Sequence, residues 1–563
     1  MKKLFFATAA AAAFVPALSS GQNLNPTVDV TRDYEVRTPE IRKPLQSMNI
    51  PDSVLRFNMA VDYSVFDNPY GGSYDFSPYL INVRPDVRKA DDGKFYFRLG
   101  GGFPLHPEGD IVFSPRLDGP FRFSIYGHHL SYLGKYHGIT PDGGSLVKNG
   151  ESWDGRDMTT KAGLDGLYAW KNGLLTFDAS FGNLMVKDNA VDRMLNSGEF
   201  NLRAFSENGD KKGISYDVRL SGRFGADSFK AYAADGLNEG GLVLDASVGG
   251  ALRSKSVFSA DVHADVSKCD GSIDDLAGTV SVTGKYSFSS GIFHLDLGGK
   301  LSVMTHPGGN EEPKEYFEKR VRGQFLYPDV RLSLTSRNGR FSFYIKAEGG
   351  DRFNSYSDML RGNSHFHPLY GIYDGRRALD HTVERINAAA GVRVGDASVF
   401  QFDLSGGYSN VANGLLDGWK EDLSVPVIGY ADYGMVYADL LYAVKSHTVD
   451  FNGHVSFKNA SMSEDAGQGL FKPAMFSGDM ELTITAGNAV KAGLSCRFSS
   501  SREALNGTKL PGYADFGVFA ETPLTKSLSL WAKGSNLLGM TVQRVPGFAE
   551  KGAWATGGIC LNF

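Results

Sequence analysis

Thr556-Gly557-Gly558-Ile559-Cys560-Leu561-Asn562-Phe563 is the stretch whose reading decides the fold. Successive side chains of a strand point to opposite faces. Ile559, Leu561 and Phe563 therefore share one face, and Gly558, Cys560 and Asn562 share the other. An apolar face ending on an aromatic ring suits lipid, and the opposite face suits a polar interior.

The same period-two pattern recurs upstream. Ile214, Tyr216, Val218 and Leu220 alternate with Ser215, Asp217, Arg219 and Ser221. Phe341, Phe343, Ile345 and Ala347 interleave with Ser342, Tyr344, Lys346 and Glu348. Val449, Phe451, Val455 and Phe457 interleave with Asp450, Asn452, His454 and Ser456. Each run has one apolar and one polar face.

The connections between such runs alternate in length. Short turns are expected at Asn172-Gly173, Ser289-Gly291, Asn338-Gly339 and Gly395-Asp396. Others fall near Gly225-Asp227, Lys445-His447, Gly487-Asn488 and Thr525-Lys526. Asn-Gly is a strong hairpin signal because both residues tolerate positive φ. Longer Gly-rich connections run over Gly134–Asp157, Glu348–Asp380 and Asn459–Gly469. Short turns on one side and long loops on the other define a membrane barrel with periplasmic turns and extracellular loops.

The fold class is therefore all-β: a transmembrane antiparallel β-barrel of about 22 strands, within roughly 20 to 24. Asn201–Ser206 and Asp110–Ser114 read equally as strands or loop ribbons. Arg376–Asn387 reads as a helix inside an extracellular loop.

Composition agrees. Glycine accounts for 68 of 563 residues, aromatics for 12% and proline for 22 residues, which separates the chain from Gly-rich disorder. The mean hydropathy is -0.22, as expected when half of each strand faces lipid and half faces a polar lumen.

The chain opens as a secretory signal over residues 1–21. Lys2 and Lys3 precede an apolar stretch, Leu4–Leu18, and the small residues Ser19, Ser20 and Gly21. Beyond it no apolar run reaches the ~20 residues that a spanning helix needs. Residues 22–54 carry Pro26, Pro39, Pro44 and Pro51 and little alternation, so they read as an extended periplasmic or luminal segment. Residues 55–563 then form the barrel, with Leu55–Val65 as its first good strand.

Cys269, Cys496 and Cys560 are too few and too scattered for a disulfide framework or a zinc site. With 58 basic and 63 acidic residues, the charge gives no reason to expect nucleic acid.

The closing residues carry two resemblances. Thr556, Gly558, Leu561 and Phe563 resemble the signal by which the outer-membrane barrel assembly machinery recognises its substrates. Leu528-Ser529-Leu530-Trp531-Ala532-Lys533-Gly534-Ser535-Asn536-Leu537-Leu538-Gly539, followed by Val545-Pro546-Gly547-Phe548, resembles the closing strands of TonB-dependent receptors. That resemblance implies a bacterial outer-membrane location and a transport or receptor role. The chain departs from the family on its N-terminal side. Only residues 22–54 lie between the expected cleavage point and the first good strand, and no TonB-pairing motif is seen. A plug would then be absent or supplied by a periplasmic or outer-membrane partner protein. The rival reading is a non-conducting structural or scaffold subunit of an outer-membrane complex.

Arg219, Arg223, Arg331, Arg340, Lys346 and Glu348 fall on polar faces and are candidates to line the lumen. They would set charge selectivity or, as the favoured reading, pair among themselves and stiffen the interior. Phe353, Tyr356, His365, Phe366, His367, Tyr370 and Tyr373 crowd one loop and are candidates for a ligand or partner surface. Packing of that loop over the barrel mouth is the favoured role. His365-x-His367 lacks a third nearby ligand, so no metal is expected, and no cofactor is implied. His128, His129, His294 and His454 sit in plausible strands without a catalytic motif. No nucleophile elbow, Walker loop or zinc-protease helix motif occurs, so no enzyme is expected.

Overall fold

The computed structural model describes residues 94–563 apart from 118, 171, 188–191, 207–213, 230–235, 254, 272–274, 306–324, 366–379, 397–398, 421–424, 464–468 and 488–489. The expected signal, the 22–54 segment and the Leu55–Val65 strand lie outside the described residues.

The described chain is almost all strand. The first eight are β1 (Lys94–Phe103), β2 (Glu108–Ser114), β3 (Phe121–Asp142), β4 (Ser145–Trp170), β5 (Gly173–Lys187), β6 (Asp192–Ser206), β7 (Ile214–Phe229) and β8 (Leu237–Arg253). Next come β9 (Ser256–Gly271), β10 (Asp275–Ser290), β11 (Phe293–Thr305), β12 (Leu326–Thr335), β13 (Phe341–Phe353), β14 (His381–Asp396), β15 (Phe400–Lys420) and β16 (Val425–Lys445). The remainder are β17 (Val449–Met462), β18 (Phe476–Ala486), β19 (Val490–Ser499), β20 (Arg502–Glu503), β21 (Lys509–Leu510), β22 (Tyr513–Pro523), β23 (Leu528–Ser535) and β24 (Trp554–Asn562). Among the described residues one helix, α1 (Tyr356–Gly362), sits between β13 and β14.

Each large strand pairs antiparallel with its chain neighbours. β20 and β21 form a small hairpin outside the wall, so β19 pairs directly with β22. β1 pairs with β2 on one side and β24 on the other, closing a ring of 22 strands. Among the described residues the ring closes on itself between β1 and β24.

Burial is inverted relative to a soluble sandwich. Phe341, Phe343 and Ile345 on β13 are exposed, whereas Tyr344 between Phe343 and Ile345 is buried. Outward Phe224, Leu242, Phe258 and Val282 are exposed, while Asp110, His128, Asp227 and Glu239 are buried. Apolar side chains outside and polar ones inside fit a wall standing in hydrocarbon. The chain is a bacterial outer-membrane β-barrel.

Strand length varies around the ring. β1 has 10 residues, β24 has 9 and β23 has 8, about the height of one membrane crossing. β3 has 22, β4 has 26 and β15 and β16 have 21 each, so they rise well above it. The expected long connection Gly134–Asp157 is a correction here. It is a continuous β3–β4 ribbon that turns at Gly143 and Gly144, both with positive φ. Its glycine and polar content reflects a ribbon standing in water rather than a loop.

Other expectations shift similarly. Arg376–Asn387 is not helical where it is described: His381–Asn387 begins β14. Its helix-like spacing arises from a bulge. Register slips between Glu384 and Ile386 against β15, which breaks the two-residue period. Gly225–Asp227 is strand, not turn: it lies in β7 opposite Leu237–Glu239. Asp110–Ser114 and Asn201–Ser206 are strand, within β2 and β6. The expected turns at Ser289–Gly291, Asn338–Gly339, Gly395, Lys445–His447, Gly487 and Thr525–Lys526 fall between strands or at their ends.

The C-terminal residue completes the seam. Phe95 and Phe563 exchange backbone hydrogen bonds of 3.0 and 2.9 Å, and their rings lie 6.5 Å apart. Gly558 faces Gly100, and a Cβ on Gly558 would stand 1.9 Å from the Leu99 carbonyl oxygen. The seam therefore needs glycine at 558. Gly558→Val or Phe563→Asp should lower the amount of heat-modifiable barrel in the outer-membrane fraction. The measurement is the fraction of protein that migrates faster on electrophoresis before boiling than after. Wild-type levels in both variants would contradict this account of the seam.

Candidate functional site: the inner wall and the roofed mouth

The polar faces of neighbouring strands meet inside the ring, and their charges are mostly matched across strands. Arg223 Nη2 lies 2.5 Å from Asp265 and its Nε 3.7 Å from Glu239. Lys346 Nζ donates to Glu348 Oε1 at 2.6 Å. The Arg331 guanidinium lies over the Tyr344 ring at 4.5 Å. Arg219 is exposed on β7 and stands in register between Arg203 and Asp245. Arg340 is elsewhere: it lies exposed in the β12–β13 turn, at the opposite end from the long loops. Lys285–Asp329 at 2.8 Å, Arg393–Asp403 at 2.7 Å and His263–Asp245 at 2.6 Å extend the same pattern.

The loop candidates divide. Phe353 and Tyr356 are buried, not displayed. With Met359 and Leu360 of α1 they pack on Leu237, Cys269, Ala277, Ile428 and Tyr430. The first turn of α1 rests on a wall carboxylate. Glu239 Oε1 accepts the Tyr356 N–H at 3.1 Å, and Oε2 accepts the Ser357 N–H at 2.9 Å. Ser267 Oγ donates to the same carboxylate at 2.7 Å. Tyr356 OH donates to Asp227 Oδ2 at 2.6 Å, and Arg193 Nε lies 3.1 Å from that oxygen. Arg193 also donates to the Ser364 carbonyl, and Arg361 at the end of α1 donates to Glu199. Burial pushes the Asp358 carboxyl up, but Arg361 and Arg352 outweigh it and hold it below the ordinary value.

His365 carries the loop onward across the mouth. Its ring stacks on Phe548, centroids 3.5 Å apart, and Phe548 packs on Tyr136 of β3 at 5.5 Å. Phe366, His367, Tyr370 and Tyr373 lie outside the described residues.

A second apolar core completes the roof. Ile139, Leu146, Trp419, Phe471, Ala504, Leu510 and Ala549 pack together. Leu146 is on β4 and Trp419 on β15, half the ring apart. Side chains from opposite walls can share a core only above or within the mouth. The described loops therefore meet over the long-loop end of the barrel.

Beneath the roof, the seam holds a buried polar cluster of which only Thr556 is among the sequence-derived candidates. Lys533 Nζ lies 2.5 Å from Glu108 Oε2, and the Arg98 guanidinium stands 3.8 Å over Trp531. His106 stacks on Trp554 at 4.4 Å and bonds Lys551 Nζ and Thr556 Oγ1, each at 3.0 Å. Burial, reinforced by Lys551 and Lys533, pushes the His106 imidazole down to about 3. Burial also pushes the Lys551 ammonium down to about 8, against Asp157 and Glu550. His106 is thus neutral at pH 7. Lys551 donates to Nε2, so Nδ1 carries the proton and donates to Thr556.

Thr556, expected as part of the assembly signal, therefore has a bond of its own in the folded barrel. Parity could have flagged Lys533, which shares the inward register of Trp531 and Ser529. Nothing local could have flagged its partner Glu108. Among the described residues no group of three or more His, Cys, Asp or Glu could hold a metal ion.

No family model matches the chain, and no curated protein is similar to it in sequence. Solved structures are similar to it in fold. The copper transporter OprC has 12% identity and a TM-score of 0.56, covering 84% of this chain and 80% of its own. A mutant ferric enterobactin receptor, PfeA of Pseudomonas aeruginosa, in complex with enterobactin, has 13% identity and a TM-score of 0.58, covering 84% and 82%. The siderophore receptor PirA of Acinetobacter baumannii has 8% identity and a TM-score of 0.58, covering 84% and 80%. The likeness expected from the closing strands thus holds for the fold: a large outer-membrane barrel of the kind these receptors use.

The buried neutral His106 gives the seam a pH dependence. Below pH 6.5 the unfolded chain takes up a proton that folded His106 refuses until about pH 3. Folding stability from this group therefore falls as pH drops from 6.5 towards 3, and nothing is lost above 6.5. The temperature of the heat-modification shift, measured at pH 7.5 and 4.5, should fall less in His106→Gln than in wild type. An equal fall in both would refute the assignment.

Proposed function

We propose that this barrel is an outer-membrane receptor or transporter of the TonB-dependent type, with its plug absent or supplied by a partner chain. The observation that carries the reading is the ring of 22 strands with a polar inner wall and an extracellular end built over by long loops. A barrel of that width encloses far more space than its own side chains fill. Its structural neighbours include a copper transporter and siderophore receptors, so copper and iron-chelate solutes are the first classes to test. The paired wall charges would hold the lumen in shape while leaving little net field to reject a solute of either sign. Lipid and the barrel assembly machinery are the partners this reading requires.

A second reading has an observation in its favour. The two loop cores join opposite sides of the mouth, as in a barrel that serves as a scaffold and passes nothing.

Expression in a host stripped of its own copper and siderophore receptors separates the two. On the receptor reading, at least one member of a panel of copper and ferric chelates should accumulate in cells carrying the barrel and not in empty-vector cells. No accumulation, together with co-purification in a fixed-stoichiometry complex from native membranes, would favour the scaffold.

A further inference from the structure

The helix α1 is only seven residues long and lies against staves other than the two it connects. A helix that short is not stable alone in water, because nucleation costs more than its few bonds return. It exists here because the wall completes it. Ser355 caps it from within, accepting the Asp358 N–H at 3.2 Å. Glu239 of β8 takes the N–H groups of Tyr356 and Ser357, which an isolated first turn would leave to water. Arg193 and Asp227 are fully buried as side chains, and both hold the loop, one at Ser364 and one at Tyr356. Beneath Tyr356, Met359 and Leu360 lie Leu237, Cys269 and Ala277, at the mouth ends of β8, β9 and β10.

We propose that Asn354–His365 is a lid across the mouth, latched by Glu239 and the Arg193–Asp227 pair, which opens by undocking and unwinding α1. Docking and helix formation are one event, so the lid has two states rather than a range of positions. The latch is polar because the inner wall is polar. Opening exchanges those hydrogen bonds with water or solute and parts the apolar contact of Phe353, Tyr356, Met359 and Leu360 with Leu237, Cys269, Ala277, Ile428 and Tyr430. The inference concerns the mouth alone and stands whether the barrel transports a solute or serves as a scaffold.

Cys269 is a native reporter, fully buried beneath the lid near the extracellular end of β9. The full-length chain with Cys496→Ser and Cys560→Ser leaves it as the single thiol. Intact cells are treated with a bulky membrane-impermeant maleimide. With the lid latched, Cys269 should label only after denaturation. Asp227→Asn with Glu239→Gln should raise its labelling rate by more than about tenfold, the change that a loss of about 1.4 kcal/mol from the latch would give. Met359→Asp alters the lid alone, leaves every stave intact and should do the same. Rapid labelling of Cys269 in the otherwise unaltered chain would overturn the proposal. So would continued protection in Met359→Asp while the barrel remains heat-modifiable.

Discussion

In hydrocarbon an unpaired strand edge has no water to turn to, and each orphaned backbone group costs several kcal/mol. The pairing of β1 with β24 removes the last two edges of this chain. It runs through eight register pairs, Tyr96–Phe103 against Asn562–Ala555, and ends in the Phe95–Phe563 exchange. The approach is close because the seam is built of glycine: Gly100, Gly101 and Gly102 face Gly558, Gly557 and Thr556. A glycine seam has no side chains of its own to fill the space inside it. Trp531 does so, its ring lying where a Cβ of Gly100 would point. Arg98 and Lys533 then stand against that ring, and Glu108 answers their charge. The buried ionic cluster follows from the way the wall is closed.

Closure also shapes the mouth. The seam strands end at about the height of one membrane crossing, while β3–β4 and β15–β16 continue as ribbons beyond it. A rim of uneven height lets the tall ribbons lean over the low side. The roof core contains residues of both tall ribbons, with Ala549 from the β23–β24 connection, which rises from the low side. The rim is thus where this protein behaves like a soluble one, burying apolar side chains among themselves. Within the membrane it does the reverse.

How much of this is legible in sequence depends on how far apart the partners lie. The barrel is legible because alternation and hairpin turns are local, and because Ile559, Leu561 and Phe563 declare their lipid face within a few residues. Local reading fails where one local signal imitates another. The bulge near Arg385 turned a strand into an apparent helix, and the Gly-rich β3–β4 ribbon imitated a loop. The contacts at the mouth and the seam were beyond reach. Tyr356 meets Asp227 across 129 residues, and Lys551 meets His106 across 445. Tyr356 and Phe353 stood out as aromatics in a loop. Whether an aromatic is displayed or buried depends on what the opposite wall offers, and a single segment carries no record of that.

The wall's polarity decides what kind of lid it can hold. In a soluble α/β protein a helix docks on an apolar sheet face, and burial of that face makes the contact effectively permanent. The inner face of this barrel must be polar, since the lipid takes the apolar one. A segment folding inward therefore meets carboxylates and guanidinium groups, and its own polar groups must answer them. The exposed backbone N–H groups of a helix start suit a carboxylate well, which is what Glu239 provides. The apolar wall residues under α1, Leu237, Cys269, Ala277, Ile428 and Tyr430, sit near the strand ends, where the wall has risen towards the rim and its parity matters less. The lid is consequently seated at the mouth rather than deep in the lumen. Its position follows from the same constraint that put Phe563 at the outer face of the seam.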